Sequence, residues 1–300
     1  MAYQSFSISI PVSVRLIRIF SAILLICASA ITSAKDDLRE VTTVGKAVIS
    51  GNTTYDQAKT QALNQARALA VEQATGVTVS NTSIIQDGLM LVDLVNTFSH
   101  GFLVKETRKS WKGSWAEDNT ADQLGFPIIE VALTGTVKVL PKTFFRNYNI
   151  TANLNKKTYA NGENVQIRIK AKEDMYVVVA NYTSKNNIIP IFPSPYHKNN
   201  LVKAGDTITI PELDDSHFTL AVSNYAGHKE DVEAFLVFGF QRTSETSNIH
   251  WARIFKAGEE LNYPDFFNTL TALPIQSMAQ KTLVYRVFND NNLSKTADSD

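Results

Sequence analysis

The chain has 300 residues, with 29 Lys+Arg against 29 Asp+Glu and a hydrophobic share of 44%. That composition excludes a disordered chain and supplies enough apolar material for one large core or two ordinary ones. Neutral overall charge and the lack of a basic cluster give no electrostatic footprint for nucleic acid.

Residues 1–34 read as a signal peptide. Arg15 and Arg18 precede an apolar run from Ile19 to Cys27, too short for an ordinary membrane span. Two small-residue cleavage sites follow, Ala28-Ser29-Ala30 and Thr32-Ser33-Ala34, and cleavage is expected after Ala34. Two alternatives stay open. Cys27 could carry a lipid, although the bulky Ile26 before it is wrong for that signal, or the segment could stay on as an anchor. Any contact with membrane is expected through this segment alone. Cys27 is the single cysteine of the chain, so a cleaved protein has neither disulfides nor thiolate chemistry. Export to the periplasm or outer surface of a bacterium is the compartment this predicts. Cleavage would remove two basic residues and leave a small negative balance of 27 against 29.

A first domain is expected over 37–140. Val41 to Ile49 reads as a strand, and Thr54-x-x-Gln57 is a capping box that starts a helix. Ala58, Ala62, Ala66 and Ala70 fall on one i,i+4 line of that helix, a stripe small enough to sit close on a sheet, and Gly76 is placed to stop it. Val77 to Ile85 reads as a further strand, while Leu89 to Phe98 suits either a helix or an irregular strand. Phe102 to Trp111 and Ile128 to Val139 read as two long strands joined by a polar loop, Lys112 to Phe126.

After a linker at 141–150, a β domain is expected over 151–288. Val165, Ile167 and Ile169 alternate; the apolar runs Met175 to Ala180 and Ile188 to Phe192 follow, punctuated by Gly, Pro and Asn. Pro190, Pro193, Pro195 and Pro211 suit strand ends and edges, where no ladder donor is needed. A short strand is expected at Phe218 to Val222, and Phe235, Phe238 and Phe240 read as strand packing. A helix from Asp265 to Gln280, interrupted or ended near Pro274, should lead to a last strand from Thr282 to Phe288, and residues 289–300 read as a disordered tail. The fold class is therefore an α+β N-terminal domain, a helix packed on an antiparallel sheet, followed by an all-β immunoglobulin-like sandwich with a short C-terminal helix.

Two resemblances add to this reading. The first strand, the run Ala58-x3-Ala62-x3-Ala66-Arg67-Ala68-x-Ala70-x3-Ala74-x-Gly76-Val77-x-Val79 and the later Gly101-Phe102 strand resemble the N-terminal domain of flagellar assembly protein T. They are similar also to small bacterial outer-membrane lipoproteins with the same unit. That resemblance implies a part in a surface or flagellar-type apparatus, although the chain shows no counterpart of the later flagellar domains. Tyr159-x-x-Gly162-Glu163-x-Val165, Met175-Tyr176-Val177-Val178, Ile191-Phe192-Pro193 and Ala204-Gly205 with Ile210-Pro211 resemble a bacterial envelope domain of unknown function with an immunoglobulin-like sandwich. It implies no activity.

The residues themselves point away from catalysis. Histidines at 100, 197, 217, 228 and 250 lack metal-ligand spacing, and no Gly-rich phosphate loop or Gly-x-Ser-x-Gly elbow occurs. Asp214-Asp215-Ser216-His217 holds triad residue types, but neighbours along a strand point to opposite faces, so a polar turn is the better reading. Asp87 and Asp93 lack the closely alternating oxygen ligands of a Ca²⁺ loop. No cofactor, metal or catalytic residue is expected.

Aromatic side chains remain as candidates for partner-binding loops: Trp111 and Trp115 around one loop, and Phe192, Tyr196 and His197 in another. Burial of Trp111 and Phe192 at strand ends is the competing reading. The expected function is a non-enzymatic adaptor or assembly factor that docks another envelope protein. A saccharide- or peptidoglycan-binding module is the second reading, and a hydrolase, which would need acids or a nucleophile converging in one deep pocket, is the third.

Overall fold

The alanine line decides how the first sheet is covered. A computed structural model describes residues 37–78, 89–115, 126–140, 150–212 and 219–289. β1 (Leu38–Val48), α1 (Tyr55–Thr75), α2 (Leu89–Thr97), β2 (Gly101–Trp115) and β3 (Pro127–Val139) build the first half. The segment expected to be a signal peptide, Asp87, most of the loop after Trp115, most of the expected linker, Asp214 to Phe218 and the residues beyond Asn289 lie outside the described residues.

Thr54 caps α1 as the capping box requires: its hydroxyl accepts the Gln57 N–H at 3.2 Å, and Gln57 Oε1 accepts the Thr54 N–H at 2.8 Å. Gly76 ends the helix in the left-handed region with φ 71°, donating its N–H to Glu72 O at 2.8 Å. Ala58, Ala62, Ala66 and Ala70 are all buried. They face the antiparallel sheet β1-β3-β2, and Gly45 of β1 lies so close to α1 that an added Cβ would stand 2.0 Å from the Ala62 carbonyl. Thr43 Oγ1 donates to Ala66 O at 2.7 Å across the same interface. Leu89 to Thr97 is helical, which resolves the ambiguous run in favour of its Leu91, Leu94 and Val95 spacing. Of the strand expected from Val77 to Ile85, Val77 and Thr78 are irregular and the rest lies outside the described residues.

The second half holds β4 (Ile150–Leu154), β5 (Thr158–Ala160), β6 (Glu163–Asn164), β7 (Ile167–Ala171), β8 (Met175–Tyr182), β9 (Asn187–Phe192), β10 (Leu201–Val202), β11 (Thr207–Ile210), β12 (Ala221–Val222) and β13 (Glu230–Gln241). Two one-turn helices, α3 (Ser244–Ser247) and α4 (Trp251–Ile254), then lead to β14 (Leu261–Asn262), α5 (Tyr263–Thr271) and β15 (Met278–Phe288). The central sheet runs β14-β9-β8-β13-β15-β5, with β10 also on β8; β5 pairs parallel with β15 and the other pairs are antiparallel.

Both faces of that sheet are buried. Val177, Val179, Phe235 and Val237 meet Ile167 and Ile169 of the smaller sheet β11-β7-β4, making the sandwich. Val178, Ala180, Leu236 and Phe238 point the other way, into one continuous core with Phe266 of α5 and the buried residues of α1 and β2. A strand covered on both faces can be apolar at every position, which is why Met175 to Ala180 reads as a continuous run. The α+β half and the β-rich half therefore share a core, with the helices lining the face of the central sheet opposite the sandwich.

Two expected elements shift. The C-terminal helix stops at Thr271, before Pro274, and a 3₁₀ turn at Ile275–Ser277 feeds a last strand that starts at Met278 rather than Thr282. It starts early because Met278 and Ala279 have partners in Phe240 and Gly239, so tertiary pairing overrides the local pattern. The strand expected at Phe218 to Val222 is present as Ala221–Val222, paired with β6.

Candidate functional site

A groove opens where α1, β2 and two turns of the second half converge. Its walls include Lys59, Trp111, Lys185, Tyr225 and His228, and it encloses about 420 Å³. The turn Lys185 to Asn187 separates it from a second hollow of about 520 Å³ beside Arg67, Glu106 and Lys109.

Helix periodicity sets the first wall. Tyr55 and Lys59 are one turn apart on the polar side of α1, and Lys59 Nζ lies 5.2 Å from the Tyr55 ring centre and 5.1 Å from that of Trp111. Trp111 is 39% exposed and Tyr55 55%. On the second wall, Lys185 Nζ sits 4.0 Å from the Tyr225 ring centre. Lys59 and Lys185 form no ion pair among the described residues, so the groove presents two ammonium groups on aromatic shelves.

Beside the groove, lining the second hollow through Arg67 and Glu106, is a buried polar network that ties the two halves together. Arg67 of α1 donates through Nε to Glu106 Oε1 at 2.8 Å, and through Nη1 to the Tyr182 hydroxyl at 2.9 Å and Asn186 Oδ1 at 3.0 Å. The Tyr182 hydroxyl, in turn, has Asn64 Oδ1 at 2.6 Å and Asn186 Oδ1 at 2.8 Å as acceptors for its one proton. Asn186 holds the turn with φ 68°, a left-handed conformation that Asn tolerates better than most residues, and its amide donates to Thr60 Oγ1 at 3.1 Å. The Arg67 guanidinium also lies 4.2 Å from the Tyr263 ring centre. Burial pushes the Glu106 carboxyl up, but Arg67 and Lys109 outweigh it and hold the group below the ordinary glutamate value. Burial likewise takes the Tyr182 hydroxyl up to about 12 against the pull of Arg67, so the phenol is neutral.

Behind the second wall stand two buried acids on β13. Asp231 accepts the Tyr225 N–H at 2.8 Å and pairs with His228 Nδ1 at 2.6 Å. Glu233 accepts the Tyr285 hydroxyl at 2.7 Å, Asn181 Nδ2 at 2.9 Å and the Ser184 N–H at 3.1 Å. Burial raises the Glu233 carboxyl above its ordinary value in spite of these donors. A buried Asp holding a His invites comparison with a catalytic dyad. Ser184 Oγ, on the same groove, makes no hydrogen bond, so the imidazole does not engage it, and among the described residues no group of three or more His, Cys, Asp or Glu side chains could hold a metal.

The structure separates the aromatic candidates. Trp111 lines the groove as an exposed side chain. Trp115 ends β2, and its side chain falls outside the described residues. Phe192 is corrected: at 1% exposure it belongs to the sandwich core on the far face of the central sheet, because its partner in the ladder is the inward-facing Val179. His197 packs edge-on against Phe192 with ring centres 5.1 Å apart and pairs with Glu212 at 3.2 Å, while Tyr196 is exposed beside them. These three residues do not line the Trp111 groove. Tyr55, Lys59, Lys185 and Tyr225 escaped the sequence reading. The Tyr55/Lys59 helical spacing and the Lys185-Asn186-Asn187 turn were visible signals, but nothing local brings them together.

A family model described as a domain of unknown function (DUF4384) matches residues 158–236. The match runs from β5 into β13. It takes in Lys185, Tyr225 and His228 on one wall of the groove, and leaves Tyr55, Lys59 and Trp111 outside. No curated protein matches the chain. Residues 158–236 thus match an uncharacterised domain, and the first half packs onto them through the Arg67 network.

Proposed function

We propose that the protein is an exported, non-enzymatic adaptor of the bacterial cell envelope that receives another envelope protein in the Trp111 groove. One observation carries the reading: an exposed tryptophan and two lysines that form no ion pair among the described residues line one groove, beside the buried network of Arg67. Amphipathic aromatics beside a preorganised network are what anchor a partner with little loss of side-chain entropy. The Arg15 to Ala34 segment and the absence of cysteine after Cys27 support the compartment. The likeness of the first half to flagellar assembly protein T supports an assembly role at a surface or flagellar-type apparatus.

A photo-crosslinking amino acid in place of Trp111, in intact cells, tests this. A discrete adduct in the periplasmic or envelope fraction is expected there, with none from the same group at the exposed Lys170 on the opposite side of the sandwich. Equal labelling from both positions, or a protein confined to the cytoplasmic fraction, would overturn it. The second reading, a saccharide site, rests on the same exposed Trp111 ring. It predicts that peptidoglycan fragments change tryptophan emission in the native protein and not in Trp111→Phe.

A further inference from the structure

The strand that carries Trp111 is also an edge. In the order β1-β3-β2, β3 is central and β2 has, among the described residues, one open side. Its start is covered: Phe102 stacks on Phe267 of α5 at 4.8 Å. Two register shifts, between Leu103 and Lys105 and between Glu106 and Arg108, then re-aim the strand. From Arg108 to Trp115 the pairing with β3 is regular, and every residue from Thr107 to Gly113 is exposed. Eight paired positions span about 27 Å at ~3.4 Å per residue.

Charge along this edge has one sign. Lys105, Arg108, Lys109 and Lys112 share the strand with one acid, Glu106, which is buried and already engaged by Arg67 and Lys109. Lys105, Arg108 and Lys112 form no ion pair among the described residues. The alternation is informative too. Arg108, Ser110 and Lys112 stand opposite the partly buried Thr134, Ala132 and Glu130, on the outer face, whereas Lys109 and Trp111 stand opposite the buried Leu133 and Val131, on the groove face. Lysines at an edge deter chance pairing between like edges. Deterrence alone gives no reason for an exposed tryptophan in the middle of the row. A strand of opposite charge turns the same lysines into attraction.

We propose that the open edge of β2, from Arg108 to Trp115, accepts an extended acidic segment of the partner protein by strand addition. Its acidic side chains, at alternate positions, pair with Arg108 and Lys112 on the outer face, and the intervening side chains pack along Lys109 and Trp111 at the mouth of the groove. This rests on the adaptor reading and names the chemistry of its partner.

Fluorescein-labelled (Glu-Thr)4 and (Lys-Thr)4 peptides, titrated with the full-length cleaved protein at low salt and followed by anisotropy, provide the test. The acidic peptide should bind at least tenfold more tightly than the basic one. Arg108→Gln/Lys112→Gln, at exposed positions and without a like charge set opposite Glu130, should lose at least tenfold while keeping its thermal midpoint. Two further (Glu-Thr)4 peptides carry backbone N-methyl groups on one alternate set of residues or on the other. Only one peptide edge faces the protein, so one isomer should lose binding and the other keep it. Equal binding by both isomers would mean charge attraction without strand addition, and equal binding of (Glu-Thr)4 and (Lys-Thr)4 would remove the proposal altogether. A crosslink at position 111 combined with failure of the acidic peptide would leave the adaptor reading standing and remove this one.

Discussion

Arg67 and Tyr182 lie 115 positions apart and meet at 2.9 Å, guanidinium to phenol oxygen, in the buried network between the two halves of the chain. The contact belongs to a web in which Glu106 and Asn186 also accept from Arg67 and Asn64 lies within hydrogen-bond distance of Tyr182. A web of this kind specifies one docking of the halves, since any other leaves a buried charge alone.

Removing either partner should expose that dependence. Arg67→Met leaves the Glu106 carboxylate buried beside only Lys109 and should cost about 3–5 kcal/mol in urea unfolding. Tyr182→Phe keeps the ion pair but strips one acceptor from Arg67, for a loss of about 1–3 kcal/mol. In Arg67→Met/Glu106→Gln the buried charge is gone, so the double variant should recover part of the loss seen in Arg67→Met.

Gly45 and Gly113 make a matched pair. At Gly45 a Cβ would stand 2.0 Å from Ala62 O and 2.5 Å from Ala66 N, both backbone atoms that cannot move without the helix. Gly45→Ala should therefore destabilise by about 3 kcal/mol or more, through overpacking at a helix–sheet contact. Gly113 has nothing within 4 Å, and Gly113→Ala should stay within about 0.5 kcal/mol. Thermal denaturation of the two variants side by side checks the contrast.

The capping box is a local device and should behave as one. Thr54→Ala removes the acceptor for the Gln57 N–H and should cost about 1 kcal/mol. Amide exchange should rise first in the opening turn of α1, at Asp56 to Ala58, with β13 unaffected.

Two carboxyls make stability depend on pH in opposite senses. Glu106 is held below the ordinary value of 4.5, so its stabilisation is complete above 4.5 and is lost as pH falls through its lower folded value. Glu233 is raised above 4.5, so its favourable contribution is complete below 4.5 and is lost as pH rises through its higher folded value. Unfolding free energies measured from about pH 3 to pH 7 should show Glu106→Gln with a shallower acid limb than the native protein. The gap between native protein and Glu233→Gln should move in favour of the native protein as pH falls toward 4.5.

Trp111 should separate binding from stability. At 39% exposure the ring is partly covered, so Trp111→Ala should cost only about 1–2 kcal/mol in unfolding, while the adduct from a photo-crosslinker at Lys59 should disappear. A stability loss of several kcal/mol would show that the ring is part of the core instead.

Local chemistry made much of the fold legible. Thr54 and Gln57 satisfy each other within four residues, Gly76 takes the left-handed conformation that ends its helix, and the alanine line follows from a 3.6-residue period. Alternation through Val165, Ile167 and Ile169 is likewise a property of the strand alone. The groove was less legible. Trp111 stood out as an aromatic beside a polar loop, but Phe192 stood out for the same reason and is buried, because exposure depends on which face of the sheet receives a second layer.

What the sequence by itself determined is therefore most of the helices and long strands, the capping of α1 and the division into a helix-on-sheet half and a β-rich half, set largely by contacts between near neighbours. Tertiary structure alone decided that the central sheet is buried on both faces, that Arg67 finds Tyr182, and that Lys59, Trp111, Lys185 and Tyr225 share one groove. Those outcomes rest on desolvation and hydrogen-bond satisfaction between residues far apart in the chain, 115 positions for Arg67 and Tyr182, which no local periodicity records.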